Sequence, residues 1–189
     1  MRLGIFGGSF DPPHLGHLLP TIDAVEALGL DELRVVPTSQ QPFKTTGVRT
    51  DAQHRLAMTE RLIHGIPRMA VDGREISRGG LSFTVDTLAE LAAEYPDAEL
   101  VLLMGLDAFM RFNEWREPER IQSLARIAVL VRIGAEVPAI EGERITMLQT
   151  RRVDISSTEL RTRVANGLTI RGFTPDHVVD YIMERGLYR

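Results

Sequence analysis

A short apolar run, Leu3 to Phe6, leads directly into Gly7-Gly8-Ser9-Phe10-Asp11-Pro12-Pro13-His14-Leu15-Gly16-His17. A strand delivered through glycines into a helix fixes the opening of an α/β unit, and this constrains the chain more than any other stretch. Open α/β sheets bind nucleotides at the carboxyl ends of their strands. Histidines three positions apart lie about 60° apart around a helix, so His14 and His17 are expected to turn their rings into one space. Gly7, Gly8 and Gly16 are expected to let backbone approach a phosphate, with helix N–H groups and the imidazoles as donors. Ser9 and Phe10 lie in the same loop. The segment reads as a cradle for a polyphosphate. A plain Gly/Asp/Pro turn with two exposed or core histidines is the bland alternative, and the flanking strand and helix weigh against it.

Strands and helices alternate along nearly the whole chain, which predicts a mainly parallel sheet covered by helices on both faces. After the first strand comes a helix with Leu18, Ile22, Val25 and Leu28 on one side, stopped by Gly29. Leu33 to Val36 reads as a second strand, opening into a long polar loop from Pro37 to Arg49. Thr50 with Gln53 forms a capping-box pattern for a helix to about His64, and Met69 to Ile76 reads as extended. The Gly79-Gly80 turn precedes a helix carrying Val85, Leu88, Leu91 and Ala92 on one face. Leu100 to Met104 and Ile127 to Val131 read as central strands, separated by a short helix over Pro118 to Leu124. Gly134 to Gly142 is turn-rich, Ile145 to Leu148 reads as a last strand, and helices follow near Ser157 to Asn166 and from Thr174-Pro175. A length of 189 residues suits a single domain spanning 1–189.

A net charge of −4 argues against a nucleic-acid coat. The paired arginines Arg151/Arg152 and Arg161/Arg163 suit a small anion better than a duplex. With no cysteine, disulfides and thiolate-held metals are excluded. No apolar run reaches membrane-spanning length, and Met1-Arg2 runs straight into the first strand, so the expectation is a cytoplasmic protein without signal peptide or membrane contact. Whether it forms a homo-oligomer is left open.

A second informative segment is Ile155-Ser156-Ser157-Thr158-Glu159-Leu160-Arg161. Hydroxyls and N–H groups at a helix start bind anions, and an arginine one turn further in can fold back to the same phosphates. Ser156 with Glu159 is equally an ordinary capping box, and on this segment alone both readings stand.

Together the two segments resemble the nucleotidyltransferase superfamily with the H-x-G-H signature, whose adenylyltransferases carry I-S-S-T-x-[IL]-R near the carboxyl end. Their spacing of roughly 140 residues is similar to that of bacterial nicotinate mononucleotide adenylyltransferases. Lys44 in Gln41-Pro42-Phe43-Lys44 resembles the family's P-P-H-K loop, with phenylalanine for histidine, and Arg55 looks like the arginine of the following helix. Gly80 to Thr87 resembles G-x-S-Y-T-x-D-T, which holds the mononucleotide, with Phe83 for tyrosine; Ser82, Thr84 and Thr87 are its candidate contacts. Gly105-Leu106-Asp107 looks like the family's G-x-D facing ribose hydroxyls, and Trp115 resembles the aromatic residue stacked on the nicotinate ring. Arg116 stands where relatives often have histidine.

The resemblance implies a Rossmann-like, doubly wound α/β fold with a small C-terminal helical part. It implies an enzyme of NAD biosynthesis joining ATP and nicotinate mononucleotide into nicotinate adenine dinucleotide and pyrophosphate. His14, His17, Lys44 and Arg161 then carry catalysis; Gly7, Gly8, Ser9, Phe10, Gly16, Gly105, Asp107, Ile155, Ser156, Ser157 and Thr158 bind ATP. Lys44, Arg55, Ser82, Thr84, Thr87 and Trp115 bind the mononucleotide. Mg2+ is expected on the ATP phosphates, held by substrate oxygens and water, with no protein ligand set. The alternatives are a relative acting on nicotinamide mononucleotide or phosphopantetheine, and, from another class, a non-catalytic nucleotide sensor.

Overall fold

The computed structural model describes residues 1–40, 50–134 and 144–189. Among them a parallel sheet of six strands runs in the order β3-β2-β1-β4-β5-β6: β1 Arg2–Gly8, β2 Glu32–Pro37, β3 Met69–Val71, β4 Glu99–Gly105, β5 Arg126–Arg132 and β6 Ile145–Thr150. The helices are α1 Leu15–Ala27, α2 Ala52–Ile63, α3 Arg74–Arg78, α4 Thr84–Glu94, α5 Leu106–Phe109, α6 Pro118–Leu124, α7 Ser157–Ala165 and α8 Asp176–Glu184. This is the doubly wound, Rossmann-like α/β arrangement expected from the alternation.

Both sheet faces are covered, which is why the central strands are apolar without a break. Successive side chains of a strand point to opposite faces. In β4, Val101 and Leu103 pack with Leu18, Met58, Leu160 and Val178 from α1, α2, α7 and α8. Leu100, Leu102 and Met104 pack on the other side with Val85, Leu88, Leu91 and Ile121 from α4 and α6. Leu103 is 1% exposed, so its truncation to alanine costs about 2–5 kcal/mol.

Three local expectations fail for identifiable reasons. Met69 to Ile76 is not one extended run: β3 ends at Val71, Asp72 Oδ1 accepts the Arg74 N–H, and α3 begins. The cap of α2 is Asp51, whose carboxylate accepts the Gln53 N–H, while the Thr50 carbonyl is taken by Arg55. Before α8 the Thr174 hydroxyl donates to the Pro13 carbonyl instead of capping, and Pro175 occupies the cap position. Strand order reverses between β1 and β4, so their carboxyl ends, Gly8 and Gly105, open the crevice that this topology offers to a ligand.

Candidate active site

His14 is the N-cap of α1, with extended backbone, and His17 is the third helical residue. The His14 Nδ1 accepts the Gly16 N–H at 3.1 Å, and the His14 N–H donates to the His17 Nδ1 at 3.3 Å. Two imidazoles thus close the reciprocal box usually made by serine and glutamate. Their ring centroids are 3.8 Å apart, so the rings do share one space, through capping and not through a common helix face. Because each Nδ1 accepts, each neutral ring carries its proton on Nε2 and offers one donor. Burial pushes the His14 pKa down to about 4, which keeps it neutral at physiological pH.

The glycines act differently from expectation. Gly7 and Gly8 form no turn; they are the last residues of β1. A Cβ on Gly8 would lie 2.8 Å from the Phe10 ring, and one on Gly16 would lie 2.9 Å from the His14 ring and 3.1 Å from the Ile155 carbonyl. At these two positions the missing Cβ makes room for neighbouring protein groups. Gly7 has only the Val36 carbonyl, at 3.9 Å, in reach. Phe10 holds a positive φ of 50° and is 1% exposed, packed edge-on against Phe6 and His17, so its side chain shapes the loop from beneath. For a bulky residue such backbone costs about 1–3 kcal/mol, which the surrounding contacts sustain.

Distant segments hold the loop between β1 and α1 through its carbonyls. Ser9 accepts from Arg55 at 2.9 Å, Asp11 from Arg161 at 2.6 Å, Pro12 from the Ser157 hydroxyl at 2.8 Å and Pro13 from the Thr174 hydroxyl at 3.0 Å. The Asp11 carboxylate accepts from the Tyr188 hydroxyl at 2.7 Å. The start of α7 and the histidine loop are therefore in direct contact. Ser156 caps α7 by accepting the Glu159 N–H, and Arg161 folds back one turn to the Thr158 hydroxyl at 3.1 Å.

Beside this loop a cavity of about 480 Å³ opens above β1 and β4. Thr84, Trp115, Asp107 and Gly105 line it, as do Ser82 and Thr87. Thr84 begins α4, where no side chain caps the first turn. Trp115 lines the cavity while packing on Phe112 at 5.7 Å between centroids. The Arg116 guanidinium lies 4.8 Å from the centre of the Phe83 ring, so these two departures from the family pattern touch each other.

Other expected contacts are engaged within the protein. Arg55 is 1% exposed and donates to the carbonyls of Thr50, Ser9, Thr38 and Ser39, so it binds loops together and its guanidinium does not face the cavity. Ser82 accepts the Ser39 N–H, and Thr87 donates to Glu75 at 2.7 Å. Three of the four clustered arginines are engaged within the protein: Arg151 is bidentate on Asp23, Arg152 pairs with Asp154, and Arg163 donates to the Thr169 carbonyl. Lys44 and Phe43 lie outside the described residues, as does most of Gly134 to Gly142. Sequence reasoning missed Glu75, Asp11 and Tyr188. An acidic residue in a stretch read as strand gave no signal, and the reach of Tyr188 back to the first loop is a tertiary fact.

A parallel sheet with paired histidines at its switch point and a serine-rich helix start facing them defines a nucleotidyltransferase. The chain belongs to the cytidylyltransferase-like family, which it matches over residues 5–163. A protein of Gemmatimonas aurantiaca named "probable nicotinate-nucleotide adenylyltransferase" is 49% identical over 197 residues, covering 100% of this chain and 93% of its own. One of the same name from Thermomicrobium roseum is 41% identical, covering 100% and 92%. Among solved structures, the Plasmodium falciparum nicotinic acid mononucleotide adenylyltransferase complexed with NaAD superposes with a TM-score of 0.78 at 20% identity, covering 99% of this chain and 97% of that one. At that identity the likeness concerns the fold.

Proposed function

We propose that this protein is an adenylyltransferase of NAD biosynthesis, joining ATP and nicotinate mononucleotide into nicotinate adenine dinucleotide and pyrophosphate, as a single domain over 1–189. The observation that carries this reading is the contact between the α7 start and the histidine loop beside a cavity lined by Trp115 and Thr84. An oxygen of the mononucleotide phosphate attacks the α-phosphorus of ATP. The bond from that phosphorus to the bridging oxygen breaks, and pyrophosphate leaves with the electron pair. Phosphate is already anionic, so no general base and no covalent intermediate are needed; alignment and charge stabilisation supply the rate.

His14 and His17 donate from Nε2 to the phosphates without adding a competing base. Lys44 and Arg161 supply positive charge, and Ser156, Ser157 and Thr158 place the triphosphate together with Gly7, Ser9, Gly16 and Ile155. Asp107 and Gly105 take the adenosine ribose. The uncapped start of α4 at Thr84 suits the nicotinate carboxylate, and Trp115 stacks on the ring. Arg55, Ser82, Thr87, Gly8 and Phe10 serve by holding these groups in place. Mg2+ would arrive with ATP, held by triphosphate oxygens and water. Bound there, it would supply neutralisation of the triphosphate charge.

Among the described residues no helix is long and apolar enough to cross a membrane, and the reading places the enzyme in the cytoplasm with its soluble substrates. The test is a panel of acceptors mixed with ATP and scored for pyrophosphate: nicotinate mononucleotide, nicotinamide mononucleotide and phosphopantetheine. Preference for the first supports the reading. Turnover of phosphopantetheine instead, or binding of ATP with no pyrophosphate from any acceptor, overturns it.

A further inference from the structure

Among the described residues five charged side chains line the cavity, and four of them face water. Arg111 pairs with Glu114 at 2.6 Å, Arg116 lies 3.7 Å from Asp86 and 3.4 Å from Glu117, and Asp107 is exposed. Charges so placed are screened and act weakly. Glu75 is the fifth, and it is 5% exposed. One carboxylate oxygen accepts the Thr87 hydroxyl at 2.7 Å; the other is buried and, among the described residues, outside hydrogen-bond geometry with any group. Arg78 reaches the carboxylate by way of Thr87, at 3.3 Å from that hydroxyl, and is itself paired with Glu90. Burial raises the Glu75 pKa against the opposing pull of the Thr87 and Ser82 hydroxyls and of Arg78, the mark of a charge that is incompletely compensated.

The proposed acceptor is a zwitterion at its ring: a carboxylate on the edge, and a ring nitrogen made permanently cationic by its bond to ribose. The cavity has matching poles one helical turn apart. The α4 start at Thr84 is its positive end, and Thr87 with Glu75 beneath it is its negative end. We propose that the buried Glu75 carboxylate is the counter-charge by which this enzyme selects acceptors with a cationic ring. Glu75 acts through space at low dielectric, with no contact to the reacting atoms, and is a specificity-determining residue rather than a catalytic one.

The inference rests on the adenylyltransferase reading, and the experiment separates the two. Nicotinate mononucleotide is compared with its 1,4-dihydro form, which keeps carboxylate, ribose and phosphate but lacks the ring charge. The ratio of their kcat/KM values is measured in the native protein and in Glu75→Gln, which retains an acceptor for Thr87. Stacking on Trp115 also differs between the two rings, so the change in the ratio on substitution isolates Glu75. The native protein is expected to favour the cationic ring, and Glu75→Gln to shrink that preference by about tenfold, equivalent to ~1.4 kcal/mol, while KM for ATP stays within about twofold. Glu75→Asp, which keeps the charge, retains most of the preference, and this arm decides should Glu75→Gln fail to fold. A native protein with no preference, an unaltered ratio in Glu75→Gln, or a ratio lost in Glu75→Asp overturns the proposal. Absence of product from both acceptors in the native protein overturns the function itself.

Discussion

The Ser157 hydroxyl donates to the Pro12 carbonyl at 2.8 Å, joining positions 145 residues apart in the chain. With the Arg161 bond to the Asp11 carbonyl, it makes the shape of the histidine loop depend on where α7 begins. Removing the hydroxyl in Ser157→Ala leaves a carbonyl unpaired and is expected to cost about 1–2 kcal/mol of stability. Arg161→Ala is expected to lower kcat by about a hundredfold if, as proposed, its charge also acts on the phosphates. Urea denaturation and steady-state kinetics on both variants separate the effects; an Arg161→Ala enzyme with native kcat contradicts the assignment.

His14 gives the protein an acid-sensitive element. Its pKa is about 4 when folded, against an ordinary histidine value of 6.5, so the unfolded chain binds more protons between these values. The stabilisation is complete above about pH 6.5 and is lost as pH falls towards 4, by up to about 3 kcal/mol. Urea midpoints measured from pH 7 to 4.5 should fall more steeply in the native protein than in His14→Asn, which removes the titrating ring. Parallel pH profiles would show that other groups dominate the acid limb.

Arg55 ties the loop after β1 to both ends of the connection between β2 and α2 by four hydrogen bonds, a reach that the planar guanidinium fork allows and a lysine does not. Arg55→Met leaves several buried carbonyls without a donor, and a loss of about 3 kcal/mol follows. A thermal scan reads it directly. A midpoint within about 1 °C of native would show that the clamp contributes nothing.

Much of this was legible from sequence, for physical reasons that differ between elements. Leu100 to Met104 announced a central strand because burial on both faces demands an unbroken apolar run, and Pro118 to Leu124 was bounded by its proline and its length. The short helix Arg74–Arg78 was not legible: it has neither the length for a 3.6-residue period nor a capping side chain of its own at Gly73. His14 and His17 were rightly paired, but by the wrong geometry, because a histidine acting as N-cap is rarely considered. Arg55 was read as a ligand contact since sequence shows a charge and not its burial. The steric need for glycine at Gly8 and Gly16 was not legible, because sequence cannot show that the Phe10 and His14 rings fill the space beside them.

Trp115 lies half-buried in the cavity wall, with one side packed on Phe112. Trp115→Ala is expected to raise KM for the mononucleotide about tenfold and leave KM for ATP nearly unchanged. An increase confined to ATP would place the tryptophan at the wrong substrate.

The proposed chemistry stands or falls on pyrophosphate release from ATP and nicotinate mononucleotide, compared between the native protein and His17→Ala, with folding of the variant checked by circular dichroism. Robust turnover is expected in the first and a loss of at least about a hundredfold in a folded second. A folded His17→Ala protein that turns over at the native rate would refute the role given to the histidine pair.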